Sequence, residues 1–309
     1  MESTAHIGHL GCIAAMTLVG GSLAASAGLV DYPIYGSQAV RYAVAAGLLL
    51  VVVRLRGVPL LRPTPTQWLQ LLALAATGLA LFNVCVIEGN ARVSPSLVGA
   101  VIGTAPLILA LAGGAAQRGE RRTLLAAVGV VTGVVLVNGI GEANLPGLLF
   151  AAGALAGEVG FSLLAVPLLP RLGPLLVSTY VCALAVPMLL PVGLIAPGPL
   201  LAAPSLAEAV TLGYLAVMVT AVAFLLWYGG LARIGAARAG LYCAVMPVAA
   251  AITSVALGFE PLRLHVALGV AVVGGGLAVG TFPSRRRDAA RRDVPVAGQD
   301  RQVNAILPS

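Results

Sequence analysis

A single carboxylate interrupts one of the most apolar parts of the chain. Glu158 lies in the stretch GALAGEVGFSLLAVPLL (153–169), where Ser162 is the only other side chain with a polar group. If this stretch crosses a membrane, Glu158 lies near the bilayer centre, where an ionised acid costs roughly 2.5–3.5 kcal/mol. An acid in that position is typically functional, because it exchanges a proton or binds the ammonium group of a substrate. The structural alternative is a neutral carboxyl group that is hydrogen-bonded to a neighbouring helix.

The composition indicates that this chain is folded in lipid. Its 309 residues are 59% hydrophobic and only 9% charged, and the mean hydropathy is +1.00. A soluble protein would carry about 25% charged residues. Backbone groups in a bilayer must be satisfied internally, which leaves helices or closed barrels. The apolar runs are about 20 residues long, the length of a membrane-spanning helix. The sequence therefore predicts an all-α integral membrane protein.

Charge clusters and turn sequences divide the apolar runs into ten predicted spans. The turn sequences DYPIYGS, GEANLPG and APGPLLAAPS mark three of the connections. The polar tail 284–309 is predicted to be a disordered segment near lipid headgroups. The predicted spans are 10–30, 36–53, 67–87, 95–115, 123–140, 147–168, 174–195, 209–231, 238–258 and 264–282.

The arginines predict how the chain is oriented in the membrane. On the side that the span count assigns to both termini lie Arg54, Arg56, Arg62, Arg118, Arg121, Arg122, Arg171, Arg233, Arg238 and six arginines of the tail. Only Arg41, Arg92 and Arg263 fall on the opposite side. The positive-inside rule therefore predicts cytoplasmic termini, in the inner membrane of a bacterial cell. The net charge of +7 is mostly this topology signal, so we expect no nucleic-acid partner.

The chain repeats itself after 141 residues. The segment ARVSPSLVGAVIGTAP (91–106) aligns without gaps with ARIGAARAGLYCAVMP (232–247). Each copy holds five predicted spans, an odd number, so the second copy must be inverted in the membrane. The sequence thus predicts ten transmembrane helices as two inverted five-helix repeats, 1–143 and 144–283, followed by the tail. Inverted repeats are typical of secondary transporters.

Four features make the chain resemble a known family. They are Arg41 in SQAVRYAVAAGLLL, the two aligned segments with their late prolines, the endings QRGERR and GFEPLR, and the glycine-rich closing spans GVVTGVVLVNG and GVAVVGGGLAVG. In order and spacing these resemble the EamA-type ten-span transporters of the drug/metabolite transporter superfamily, over about residues 10–282. Phe259 departs from the glycine expected in the second ending. The resemblance implies a basket of ten helices that exports small metabolites or drugs without a nucleotide-driven motor.

Two prolines fall inside predicted spans at equivalent positions of the repeats. Pro106 and Pro247 each remove a backbone hydrogen bond, so each predicts a kink in its helix. A static kink would shape a cavity, whereas a moving hinge would open and close the pathway. The sequence leaves both roles open, although equivalent placement favours a role in the central pathway.

The outer end of span 3 carries several polar residues. Asn83 and Asn90, seven residues apart, share one helix face and could line a polar vestibule. Glu88 and Arg92 have the i,i+4 spacing of an interfacial ion pair, the role that we prefer for them.

Three further charged residues are expected to be structural. Arg41 could extend to the outer headgroups. Glu120 and Glu260 close spans 4 and 9 beside arginines, so we interpret them as interfacial partners of those arginines.

Large aromatic residues mark spans 8 and 9. Trp227, Tyr228 and Tyr242 could fill gaps or form an interfacial belt. They could also form an aromatic wall for an apolar or cationic substrate. The three histidines and four cysteines lack metal-ligand spacing, so we predict no metal and no cofactor.

These observations favour a secondary transporter that exports small organic metabolites (amino-acid-like compounds) or drugs by alternating access around a central cavity. Protons are a candidate coupling ion, and the sequence is compatible with a homodimer. A passive channel or facilitator of the same architecture is the main alternative. A membrane-embedded lipid-modifying enzyme is less favoured, because the sequence has no acid–base or metal cluster at a membrane surface.

Overall fold

A computed structural model describes residues 2–26, 29, 32–93, 95–113, 121–138, 144–196, 198–256 and 264–281. Within these ranges the chain forms ten helical segments and no strand. The segments are α1 (Glu2–Ser26), α2 (Ile34–Leu55), α3 (Pro65–Asn90), α4 (Pro95–Ile102 continued by Ala105–Ala112), α5 (Arg121–Asn138), α6 (Leu145–Leu163), α7 (Leu169–Ile195), α8 (Leu206–Ile234), α9 (Ala236–Leu241 continued by Tyr242–Ala244 and Val245–Ala256) and α10 (Leu264–Thr281).

The predicted all-α membrane architecture is confirmed. Six of the described helices are long and apolar enough to cross a membrane, and two shorter apolar helices accompany them. Each predicted span coincides with one helical segment, although α1 begins before its predicted span. Glu120, Glu260 and the tail 284–309 lie outside the described residues.

Helix packing has the pattern expected of two related halves. Helix α1 packs on α8 and α9, while α6 packs on α3 and α4. Helix α2 packs on α7, and α5 packs on α10. If α1–α5 are exchanged with α6–α10, the contacts of α1 become those of α6, and the α2–α7 and α5–α10 contacts stay the same. The ten helices therefore form two five-helix repeats with inverted orientation, as predicted.

Local details repeat at the same interval. A capping box at Thr64 and Gln67 starts α3, and a second at Ser205 and Glu208 starts α8. The middle of each of these helices widens into a π-helix, over Ala75–Leu81 in α3 and Leu215–Val222 in α8. π-Helical turns are rare and occur frequently at functional sites. Helix α4 is interrupted between Ile102 and Ala105, and α9 tightens into a 3₁₀ turn over Tyr242–Ala244, again at equivalent positions.

Glycines allow α6 to approach α3 closely. A Cβ atom on Gly157 would lie 2.8 Å from the carbonyl oxygen of Thr77, and one on Gly78 would lie 2.9 Å from the Cβ of Phe161. A larger residue at either position would separate the two helices. Because α6 is held against α3 on this side, its neighbouring face turns toward the centre of the bundle.

The alternating helices place the described arginines unequally at the two ends of the bundle. We call the richer end the arginine-rich face; it carries Arg54, Arg56, Arg62, Arg121, Arg122, Arg171, Arg233 and Arg238. Arg41 and Arg92 belong to the other half of the bundle, whose end we call the arginine-poor face.

Candidate functional site

Helix α6, the first helix of the second repeat, directs Glu158 toward α9 of the same repeat. Glu158 is partly buried, and Phe161 and Ser162 of the same helix are buried. The thiol of Cys243 in α9 donates a long hydrogen bond of 3.6 Å to Oε1 of Glu158. The carboxyl group therefore lies inside the bundle, beside the 3₁₀ turn of α9.

Three aromatic rings pack beside this acid. The rings of Phe161 and Tyr228 stack with centroids 4.9 Å apart and an interplanar angle of 29°. The ring of Phe224 tilts against Phe161, also at 4.9 Å. Tyr228 lies within electrostatic range of Glu158. An acid beside aromatic faces can attract a cationic amine through both charge and the ring quadrupole.

Two buried polar groups of α8 have no hydrogen-bond partner among the described residues. They are the hydroxyl group of Tyr228, which is 0% exposed, and the indole N–H of Trp227, which is 1% exposed. Leaving such a group unpaired costs about 1–3 kcal/mol. Tyr228 stands in the aromatic cluster beside Glu158, so its hydroxyl could donate a hydrogen bond to a bound molecule.

A second polar cluster links α2 to α3 and α8. The side-chain amide of Asn83 donates to the hydroxyl of Tyr42 at 2.9 Å and to the carbonyl of Leu79 at 2.6 Å. The Nε of Arg41 donates to the hydroxyl of Thr220 at 2.6 Å, inside the π-helix of α8. Arg41, which the sequence suggested as an interfacial residue, thus contacts the second repeat.

The arginine-poor face holds a separate group of polar residues. Glu88 forms an ion pair with Arg92, four residues later, and accepts a hydrogen bond from the hydroxyl of Tyr35. The guanidinium of Arg92 lies 4.7 Å from the ring centroid of Phe150. These contacts join α3 to α2 and α6. Asn90 is exposed at the end of α3, and the structure does not bring it into the cluster of Asn83.

The prolines and Tyr242 lie at the breaks of α4 and α9. Pro106 and Pro247 are both buried and occur within a few residues after their helix interruptions. The hydroxyl of Tyr242 is hydrogen-bonded to Nδ1 of His9 in α1 at 2.8 Å. Tyr242 therefore connects the break of α9 to the first helix.

A cavity of about 680 Å³ opens at the arginine-rich face. Arg238 is the one charged residue of its described lining. The cavity is lined by Ala112, Gly113, Leu163, Val166, Pro167, Ile234, Gly235, Ala236, Ala237 and Arg238. These residues belong to the ends of α4, α6 and α8, the α6–α7 connection and the start of α9.

The side chains give no reason to place a metal here. Within the ranges that the structure describes, no three His, Cys, Asp or Glu residues cluster in a way that could hold a metal ion. The four cysteines are free and buried. The chemistry available at the centre is that of one carboxyl group, phenol hydroxyls, thiols and aromatic faces.

Sequence reasoning missed several residues of this arrangement. Phe224 stands one helical turn before Tyr228, so helical spacing could have identified it. The sequence assigned no role to His9 and Cys243, which lack metal-ligand spacing. Their partners are 233 and 85 residues away in the chain, and no local pattern reports such contacts.

Comparisons with known proteins give a consistent result. The model of the EamA-like transporter family matches this chain twice, over residues 6–139 and 145–282, which confirms the resemblance seen in the sequence. The chain is 28% identical over 294 residues to the uncharacterized transporter YetK of Bacillus subtilis (strain 168), covering 91% of this chain and 88% of that protein. It also superimposes on a solved crystal structure with a TM-score of 0.76 and 22% identity, covering 90% of this chain and 97% of the other. At that identity the likeness shows the fold alone.

Proposed function

Because this chain belongs to the EamA-like transporter family, we propose that it is a secondary transporter that exports small organic molecules by alternating access. Amino-acid-like metabolites and drugs that carry an amino group are the proposed substrates. Glu158 carries the proposal: it is an acid inside an apolar bundle, and it contacts Cys243 of α9. Such an intramembrane acid typically marks a substrate or ion pathway.

The chemistry around Glu158 supports a substrate with an amino group and an apolar body. The carboxylate would pair with an ammonium group, and the faces of Phe161, Phe224 and Tyr228 would contact the body of the molecule. When no substrate is bound, a proton on Glu158 would neutralise the acid. Substrate and proton would then compete for the same carboxyl group, which is the basis of exchange between them.

The enclosure of the site favours a transporter over a passive channel. Tyr228 and Trp227 are fully buried, and Cys243 is only 7% exposed. A channel would need a continuous path along these residues in a single conformation. An enclosed site in the second repeat, whose helix α6 packs on α3 and α4 of the first repeat, instead suits a mechanism in which helices of the two repeats move and expose the site to one side at a time.

The arginines support one orientation of the chain in the membrane. We propose that the arginine-rich face is cytoplasmic, that both termini lie on that side, and that the protein resides in the inner membrane of a bacterium. Helices of the repeats 1–143 and 144–283 would move relative to each other during transport. A homodimer and coupling to protons belong to the same proposal.

Transport by the purified protein tests this function. The protein would be reconstituted in proteoliposomes with an imposed pH gradient, and a panel of amines, amino acids and neutral analogues would be supplied. We expect accumulation of an amino-bearing compound against its own gradient. Equilibration without accumulation would identify a passive facilitator, and turnover of lipid would identify an enzyme.

A further inference from the structure

The hydrogen bond between His9 and Tyr242 stands next to the central site. Besides the 2.8 Å contact, the two rings lie 5.7 Å apart at an angle of 58°. Tyr242 begins the 3₁₀ turn of α9, and the next residue, Cys243, contacts Glu158. Two successive residues of one short turn therefore bind α1 on one side and the central acid on the other.

The cavity at the arginine-rich face lies directly below this turn. Leu163, which lines the cavity, follows Glu158 by five residues on α6, and Arg238 precedes Cys243 by five residues on α9. Five helical residues rise about 7.5 Å. On both helices the cavity is thus about one and a half turns from the contact between Glu158 and Cys243.

One wall of the cavity is a unit bounded by helix breaks. The first piece of α9, Ala236–Leu241, packs closely on the second piece of α4, Ala105–Ala112. A Cβ atom on Gly240 would lie 2.6 Å from the Cβ of Leu109. The two pieces are therefore in close contact, and a larger residue at position 240 would force them apart. Because each piece ends at a break in its helix, the pair can move together relative to the rest of α4 and α9.

Helix α1 is held to α8 on either side of His9. A Cβ atom on Gly8 would lie 2.8 Å from a side-chain carbon of Ile234, and one on Gly11 would lie 3.0 Å from the carbonyl oxygen of Leu226. His9 is therefore fixed to α8, and its ring reaches across to α9.

We propose that the cavity is the entrance to the Glu158 site at the arginine-rich face, and that His9 is the positioning residue that keeps it closed. This inference rests on the transport function proposed above. While His9 holds Tyr242, the turn of α9 stays in place and Cys243 covers Glu158. When the bond breaks, Ala236–Leu241 and its partner on α4 move away from α1, and the carboxyl group becomes accessible from the cavity.

Cys243 is a native reporter of this opening. Membrane vesicles of both orientations would be treated with a membrane-impermeant methanethiosulfonate reagent, and modification would be read for each cysteine peptide by mass spectrometry. Tyr242→Phe and His9→Leu remove the hydrogen bond, whereas His9→Gln retains a side chain that can bond to the tyrosine hydroxyl. Tyr180→Phe is the matched control, because it removes a tyrosine hydroxyl bond of 2.9 Å to the carbonyl of Leu61 elsewhere.

We expect the rate of Cys243 modification from the arginine-rich face to rise roughly five- to tenfold in Tyr242→Phe and His9→Leu, the change that loss of one hydrogen bond gives. His9→Gln and Tyr180→Phe should keep the wild-type rate. Cys85, which is buried in α3, should stay protected in all variants.

Three results would overturn the inference: an unchanged rate in Tyr242→Phe, an equal rise at Cys85, or the same rise in His9→Gln as in His9→Leu. Tyr242→Phe is the conservative variant, so the inference can still be tested if His9→Leu fails to insert. Wild-type transport is measured in parallel. Faster Cys243 modification without any transport would refute the proposed function but keep the closure, whereas transport with unchanged modification would refute the closure alone.

Discussion

Replacement of Glu158 by glutamine separates the electrostatic role of this residue from its packing. Among the described residues, the carboxyl group has one hydrogen bond, the long contact from the Cys243 thiol, and an amide oxygen can accept the same bond. Glutamine also has the shape of a protonated glutamic acid. We therefore expect Glu158→Gln to insert normally and to change the free energy of unfolding by less than about 1 kcal/mol.

The expected effect on transport is much larger. A hydrogen bond to a charged group contributes about 1.5–3 kcal/mol. Loss of the pair between Glu158 and a substrate ammonium should therefore raise KM for amines roughly 10- to 150-fold. In wild type, low pH protonates Glu158 and competes with the substrate, while higher pH frees the carboxylate. The amide cannot take up a proton, so Glu158→Gln should lose both this pH dependence and accumulation driven by a pH gradient.

The assay is uptake into proteoliposomes across a pH series, for wild type and Glu158→Gln. Glu208→Gln is a suitable control, because Glu208 lies in the capping box at the start of α8 and its replacement makes the same charge change. Its counterpart in the first repeat is Gln67, which already caps α3 as a glutamine. Glu208→Gln should therefore transport like wild type.

Identical rates and pH profiles in wild type and Glu158→Gln would refute the reasoning. Glu158 would then be a structural carboxyl group, held neutral by its surroundings. Asn83 and the aromatic residues of α8 and α9 would become the better candidates for the pathway. Failure of Glu158→Gln to fold would likewise contradict the argument, because it would mean that an ionised partner is left unpaired.

Other parts of the structure make independent predictions. Pro106→Ala and Pro247→Ala should each insert normally but impair transport, measured as efflux from cells, if the helix breaks shape the pathway; normal efflux in both would exclude that role. Tyr228→Phe keeps the stacked ring but removes an unpaired hydroxyl. The free energy of unfolding, measured by thermal unfolding, should therefore stay the same or rise by up to about 1–2 kcal/mol. Slower transport in this variant would identify the hydroxyl as a substrate contact. Reporter fusions after Gly141 and Arg287 should report opposite sides of the membrane, and the same side for both would contradict the inverted repeats.

The fold was largely predictable because its signals are local. Twenty-residue apolar runs identify membrane helices, and the 141-residue repeat reports the inverted halves. The capping boxes at Thr64 and Ser205 are also readable, since each places a hydroxyl three residues before Gln or Glu. Kinks in α4 and α9 were predicted from Pro106 and Pro247, but the π-helices and the form of the helix breaks were not, because they depend on how neighbouring helices pack as well as on local sequence.

Within the site, only the residues of a type that is unusual in a membrane span could be predicted from the sequence. Glu158 and Tyr228 could be chosen because an acid or a large phenol is exceptional inside a membrane span. Their partners could not be chosen, because the rotation of each helix decides which face meets the centre. His9 shows this limit. It lies near the end of α1 at the arginine-rich face, where it resembles any interfacial histidine, and only the packing of α1 against α9 brings it to Tyr242.

The two repeats share a scaffold but not their chemistry. Tyr228 corresponds to Ile87 in the first repeat, and Cys243 corresponds to Ile102, so the polar side of the centre comes from the second repeat. Among the described residues, Glu158 is the one acid that lies away from a helix end. In the proposed transport cycle, symmetric packing would let the bundle open toward either face by the same motion. A single carboxyl group at its centre can release at most one proton for each substrate that it binds, so exchange through this residue would be one for one.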